Sequence, residues 1–326
     1  MKRKALLALN AAVSIALVAA ILAVVGADKV LLELGGLDLS YVALSMLCIL
    51  LMDLVMSYRI SILLEEAGSP AGFIAILKSH IVGMLLADFT PSRSGYFATA
   101  AVLHYNYKVP ADRALLSIFG PQIFDFAFKV VAGGLALLYL MAVFIGPGQG
   151  AVLLIGVAAI LAAVVIMLLV LFSRRFLMLF SFAKKLPVAS RLFDVVLKMQ
   201  EGSHIVVKKT PHLIALIGVG WTARALSWYF AAKAVGIQLE TPFPEVLFYF
   251  FLQPLLTMLE FVPSPTIAGL GLSEGGATLV FSLFGVGAAK AATFGLLVRF
   301  KSTLLHLPAI PEALKVPHAM NGKIES

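Results

Sequence analysis

Charge is what this sequence has least of. Of its 326 residues only 13% are charged, while 61% are hydrophobic. Soluble domains sit nearer a quarter charged and half apolar, so an ordinary soluble fold is excluded. Cysteine is almost missing: Cys48 stands alone inside an apolar run, which leaves no intrachain disulfide and no cysteine metal site. No polar stretch is long enough to make a separate soluble domain. No His/Cys/Asp/Glu group has metal-ligand spacing, no nucleophile motif appears, and there is no glycine-rich phosphate loop of a soluble NTPase. The chain is therefore not expected to hydrolyse ATP itself, and no cofactor is expected.

What is present is a series of apolar runs, each near the roughly 20 residues that span a bilayer core. The reading is an all-α, polytopic integral membrane protein forming one transmembrane domain, residues 1–326. The net charge of +8 then reports orientation and not nucleic-acid binding, because Lys and Arg gather on the cytoplasmic side. Three positive charges within Met1–Lys4 precede an apolar run from Ala5 to about Val25. That run is longer than the core of a cleaved secretory signal, so a retained first span is favoured over a signal peptide. Further spans are expected over about Tyr41–Leu64, Ala114–Ile145, Ala151–Phe172, Leu213–Val235 and Ala288–Leu307. The turn Gly146–Gly150 would lie outside. Residues 174–210 are basic, with Arg174, Arg175, Lys184, Lys185, Arg191, Lys198, Lys208 and Lys209. After Pro187, Val188, Leu192, Val195, Val196 and Met199 recur at helical spacing, as in a helix lying on the inner surface. A solvated charged loop is the alternative.

Two regions do not fit a simple span. Residues 73–104 contain "DFTPS" at Asp88–Ser92, followed by Arg93, Ser94 and Gly95. Residues 246–284 contain "EFVPS" at Glu260–Ser264, followed by Gly269, Gly271, Ser273 and Glu274. With both termini and the basic segment inside, the first region must enter and leave on the inner side, and the second on the outer side. Both are then re-entrant: half-helices joined by a break. The expected total is about six full spans plus two such hairpins, each span requiring roughly 20 residues. The matched acid-Phe-x-Pro-Ser echo suggests an inverted repeat, 1–173 and 211–326. Paired broken segments of this kind point to a transporter's central site.

The chemistry of the breaks follows from the backbone. Proline ends the preceding helix. Thr90–Pro91 fits an N-cap followed by proline at the first helical position, and Ser273–Glu274 fits an N-cap followed by a first-turn acid. Exposed N–H groups at a helix start attract anions, and a guanidinium such as Arg93 matches phosphate as a fork. One reading makes Asp88, Pro91, Ser92, Arg93 and Gly95 half of a site for a phosphate-bearing headgroup. The other makes Asp88 and Arg93 a local pair holding the turn. The two are compatible. For Glu274 the reading is a carboxylate held by N–H groups at its own helix start, or paired with a cationic headgroup.

Buried charges in a bilayer face a cavity or a partner. Asp125 and Lys129 are one helical turn apart and read as a pair, with substrate contact as the alternative. Arg224, mid-span between Trp221 and Trp228, reads as functional. Lys233 and Arg299 lie near span ends and are expected to snorkel. His80 reads as a satisfied interior histidine.

This arrangement resembles the flippase-like transmembrane family, also called the lysylphosphatidylglycerol synthase transmembrane region. The family's Pro-Gly-x-x-Gly-acid element corresponds here to Pro91-Ser92-Arg93-Ser94-Gly95-Tyr96. Its Gly-x-Gly-x-Arg-Glu element corresponds to Gly269-Leu270-Gly271-Leu272-Ser273-Glu274. Ser92 replaces a glycine, Tyr96 an acid and Ser273 an arginine. Of the family's acid-Arg-x-x-Asp pattern only Asp125 remains, after Pro121 and Gln122. The resemblance implies translocation of a lipid such as an aminoacyl-phospholipid or a polyprenyl-phosphate sugar. The soluble aminoacyl-transfer domain of the full synthases has no counterpart here, so the synthase reaction is not expected. The expected partners are membrane lipids; a lipid-modifying transferase and a second copy of the chain are further candidates. The expected location is the cytoplasmic membrane, multi-pass, with both termini inside. A membrane-embedded enzyme acting on a lipid phosphate, or a scaffold for a glycosyltransferase, are the competing functions. Two carboxylates and a histidine converging within hydrogen-bond reach would favour the enzyme. A closed interior with every charge paired would favour the scaffold.

Overall fold

A computed structural model describes residues 2–144, 173–179, 203–259 and 269–315, with positions 155, 158, 162, 165, 166, 169, 181, 197 and 266. Among the described residues every regular element is helical. In chain order they are α1 (Lys2–Val25), α2 (Ala27–Gly35), α3 (Leu39–Glu66) and α4 (Phe73–Asp88). A 3₁₀ segment (Pro91–Phe97) leads to α5 (Ala98–Tyr107) and α6 (Ala111–Phe144). Then come α7 (Arg174–Leu179), α8 (Ser203–Lys208), α9 (Thr210–Ala234), α10 (Glu245–Leu259), α11 (Leu272–Leu283), α12 (Ala288–His306) and α13 (Ile310–Ala313).

Local chemistry explains several of these boundaries. Asp38 caps α3, its carboxylate accepting the Ser40 N–H at 2.9 Å. Pro211 sits in the first turn of α9, where its missing N–H costs nothing. Gly236, at φ 71°, ends that helix with a left-handed residue. Gly26, at φ 97°, separates α1 from α2 and bends the chain by 88°.

Three helices are long and apolar enough to cross a membrane: α3, α6 and α9. The bent pair α1–α2 makes a fourth if it is one span. Among the described residues the fold is all-helical, with several apolar helices of the kind that make a membrane protein. The expected last span appears as α12, but Lys290, Arg299 and Lys301 make it more polar than the other three. The helices flanking the two interrupted regions are short: α4 has 16 residues, α5 10, α10 15 and α11 12. The expected turn at 146–150, the helix after Pro187 and the echo at 260–264, including Glu260, lie outside the described residues. So does nearly all of the span expected over 151–172.

The elements pack around two seams. α3 lies along α9, and α6 lies along α10. Trp228, Tyr249, Phe281 and Phe294 fill the apolar core where α9, α10, α11 and α12 meet. α4 and α5 fold back on each other, with Gly83 against Thr99 so closely that a Cβ at Gly83 would lie 1.8 Å from the threonine hydroxyl. α12 is the hub, touching α1, α2, α3, α4, α9 and α11.

Candidate functional site

The first break is a tight, internally bonded turn. α4 ends at Asp88, and Thr90 is in extended conformation at the N-cap position of the 3₁₀ segment, with Pro91 at its start. The cap falls where expected, but the new helix opens as 3₁₀ and turns α-helical only at Ala98. Thr90 works in both directions: its hydroxyl donates to the Leu86 carbonyl at 2.9 Å and accepts the Gly95 N–H at 2.6 Å. Gly95 is required here, because a Cβ would sit 2.2 Å from the Leu86 carbonyl carbon and oxygen. Arg93 has a left-handed backbone, φ 53°. Its guanidinium donates to Asp88 Oδ1 at 2.8 Å. The local pair is therefore formed. Pro91 and Ser92 contribute backbone to the same segment.

The second break ends in a glycine cap. Gly269 and Gly271 both have positive φ, 72° and 88°. Gly271, not Ser273, is the N-cap of α11, and Glu274 stands three residues on. Its Oε2 accepts the Gly271 N–H at 2.7 Å and the Ser273 hydroxyl at 3.0 Å. Glu274 is thus held at its own helix start, as one of the two expectations had it. A Cβ at Gly271 would lie 2.5 Å from Leu17 Cβ, so α1 seals this cap.

Arg299 overturns an expectation. It does not snorkel. It reaches from α12 to Glu274 Oε1 through Nε, and its Nη2 donates to Ser273 Oγ at 2.7 Å. One turn further along α12, Thr303 donates to Asp88 Oδ2 at 2.9 Å. The acids of the two breaks therefore hang from one helix. Gly295 lets that helix approach, since a Cβ there would come within 3.1 Å of Glu274 Cα.

Around these pairs lies a cavity of about 80 Å³. Asp88, Arg93, Ser273 and Glu274 line it, with Arg224, Lys301 and His306. Of the residues read as a site from the sequence, it unites these two acids, Arg93, Arg224 and Ser273. Asp125 is elsewhere: it accepts both Nη groups of Arg59, at 3.2 and 2.6 Å. The pair expected between Asp125 and Lys129 is replaced by this forked bridge between α3 and α6, because a carboxylate accepts two parallel N–H groups from guanidinium. Lys233, also expected to snorkel, pairs with Glu245 at 2.5 Å.

The sequence reading missed Lys301 and His306. Lys301 is 4% exposed. Its ammonium donates to the Ser227 carbonyl at 2.8 Å, the Ser227 hydroxyl at 2.7 Å and the Ser45 hydroxyl. It ties α3, α9 and α12 together. His306 donates toward Asp53, which also meets His80. His80 is fully buried and satisfied, as expected. The signal that could have found α12 is the run Arg299, Thr303, His306, whose spacings of four and three put all three on one helical face. Across α10 from the polar cavity lies an apolar one of about 350 Å³, lined by Leu135, Tyr139, Phe248 and Phe251 among others. Among the described residues no group of His, Cys, Asp or Glu could hold a metal ion.

Helices of spanning length, half-length helices beside them and a charged cavity at their meeting point define a polytopic helical membrane protein with an internal polar site. Residues 7–309 match the family described as the lysylphosphatidylglycerol synthase TM region, and the chain belongs to that family. That places it among membrane proteins connected with lipid modification or transport. No curated protein matches the chain.

Proposed function

We propose that this protein binds a lipid with an anionic phosphate headgroup in the cavity and moves it between leaflets. The observation that carries this reading is the charge of the lining. Arg93, Arg224, Arg299 and Lys301 face two acids, Asp88 and Glu274. Both acids already have a guanidinium. Among the described residues the balance of the lining is positive, which suits an anion. α10 sorts the two parts of a lipid: Gln253 and Thr257 face the polar cavity, while Phe248 and Phe251 face the apolar one. α4, α5 and α11 are each shorter than the roughly 20 residues needed to cross a bilayer, and α10 precedes α11 in the second interrupted region. We read them as two re-entrant hairpins of an inverted repeat, with both termini on the cytoplasmic side.

The test is native mass spectrometry of the purified protein, followed by translocation of the identified lipid in reconstituted vesicles. A phosphate-bearing lipid is expected to co-purify, and Arg224→Ala to reduce its binding by ten- to a hundred-fold, about 1.5–3 kcal/mol for a charged hydrogen bond. Co-purification of only neutral lipids would sink the reading. One observation favours an enzyme instead: His306 lines the cavity with Asp53 3.0 Å behind it, as a general base with an orienting carboxylate would be. Release of inorganic phosphate or of a free headgroup from the bound lipid would establish that alternative.

A further inference from the structure

From the cavity lining a buried chain of titratable groups runs inward through His306 to Asp53 and His80. Asp53, 1% exposed, meets a histidine at each oxygen: His80 Nε2 is 3.2 Å from Oδ1 and His306 Nε2 is 3.0 Å from Oδ2. A carboxylate only accepts, so both Nε2 atoms carry hydrogen. The second nitrogen of His80 is also used, with the Tyr96 hydroxyl 3.4 Å from Nδ1. That of His306 is not. It is buried, has no hydrogen-bond partner and faces Asp88 Oδ2 across 3.9 Å. An imidazolium N–H would close on a carboxylate to about 2.7–2.9 Å. At 3.9 Å the two atoms are not hydrogen-bonded, and Asp88 is matched by Arg93 instead.

We propose that His306 binds a proton in step with an anionic headgroup at Arg93, with Asp88 as the link. The proposal rests on the phosphate-lipid reading above. When a phosphate takes the Arg93 guanidinium, Asp88 loses its 2.8 Å partner and keeps only the Thr303 hydroxyl. A buried carboxylate without a cation is costly. His306 Nδ1 is positioned to supply one. A hydronium ion in the cavity gives its proton to the Nδ1 lone pair and leaves as water; the new N–H donates to Asp88 Oδ2. One negative charge and one positive charge enter together, so the buried cluster keeps its net charge. Among the described residues, Arg59 (α3), His80 (α4), Arg93 and Tyr96 (the 3₁₀ segment), Asp125 (α6), Arg224 (α9), Glu274 (α11), and Arg299 and Lys301 (α12) are other charged or titratable groups around Asp53, Asp88 and His306. Among them Arg59 is matched to Asp125 and Arg299 to Glu274. Lys301 points to Ser45 and Ser227.

The experiment titrates dihexanoylphosphatidylglycerol into the full chain in detergent, by calorimetry in two buffers of different ionisation enthalpy. This probe's phosphodiester stays a monoanion through the neutral range. Near neutrality, uptake of about one proton per lipid is expected. The apparent Kd should weaken by up to about tenfold per pH unit as pH rises between the free and the bound pKa of His306, and be flat outside that window. His306→Gln should abolish the slope, and His80→Gln should keep it. Binding without proton uptake, or a slope that survives His306→Gln, overturns the proposal and leaves the phosphate reading standing. A parent protein that does not bind the probe overturns both. Should His306→Gln not fold, ¹⁵N-histidine NMR of lipid-free Arg93→Ala decides. The His306 titration should move up by about one unit or more as Asp88 loses its guanidinium; an unmoved titration overturns the proposal.

Discussion

At the first break an acid and its arginine sit five residues apart; at the second they sit 25 apart. Asp88 and Arg93 close a turn within one segment, next to a Gly95 that touches backbone. Glu274 is held by its own helix start, but its guanidinium arrives from α12. The first break is therefore built locally and the second by docking. A local pair can form as soon as the turn forms. A remote pair exists only once α12 has packed, so it reports on tertiary structure.

The largest effect should come from breaking the docked pair. Arg299→Met leaves the carboxylate of Glu274, 2% exposed, without its cation. Removing one partner of a buried pair costs about 3–5 kcal/mol. A marked fall in thermal midpoint in detergent is expected, with Arg299→Met/Glu274→Gln recovering part of it. Equal midpoints for Arg299→Met and the parent would refute docking as the main prop of the second break.

Gly95→Ala attacks the local break at its backbone. A Cβ 2.2 Å from the Leu86 carbonyl must push α4 and the turn apart. A loss of about 1–3 kcal/mol is expected, with protease cleavage appearing between Asp88 and Phe97. A parent-like protease pattern would contradict the packing described.

Arg93 carries two opposed effects. Its left-handed backbone costs of order 1–3 kcal/mol, while its guanidinium holds Asp88 at 2.8 Å. Arg93→Gly should therefore change stability by no more than about 1 kcal/mol, as relief of strain offsets the lost pair. It should still lose ten- to a hundred-fold in phosphate-lipid affinity. A variant that keeps its affinity would reduce Arg93 to a brace for the turn.

The smallest effect belongs to the hydroxyl that joins the breaks. Thr303→Val removes one hydrogen bond to Asp88. About 0.5–1.5 kcal/mol is expected, read as a small midpoint shift in a double-mutant cycle with Arg93→Ala. Simple additivity in that cycle would show that Thr303 and Arg93 do not share Asp88.

Hydropathy places α3, α6 and α9 within about three residues of their observed ends, because span length and helical caps are local properties. The Asp88–Arg93 pair was readable for the same reason. Arg299 reads from the sequence as a snorkelling end residue, yet it is held within the protein on a carboxylate from another helix, as is Arg59. Nothing within a few residues of Arg59 marks Asp125, 66 positions away, as its partner. Lys301 was hidden for a different reason. Its partners are two serines and a backbone carbonyl, and no charge pattern betrays such a site.

Arg299 and Thr303 stand four residues apart on α12, one gripping each break. On a helix rising 1.5 Å per residue that is about 6 Å. α12 therefore works as a coupling rod of fixed length. A slide of this rod along its axis is delivered to both breaks at once and by the same amount. Neither can shift by itself until Arg299 or Thr303 lets go, so the two breaks are ganged.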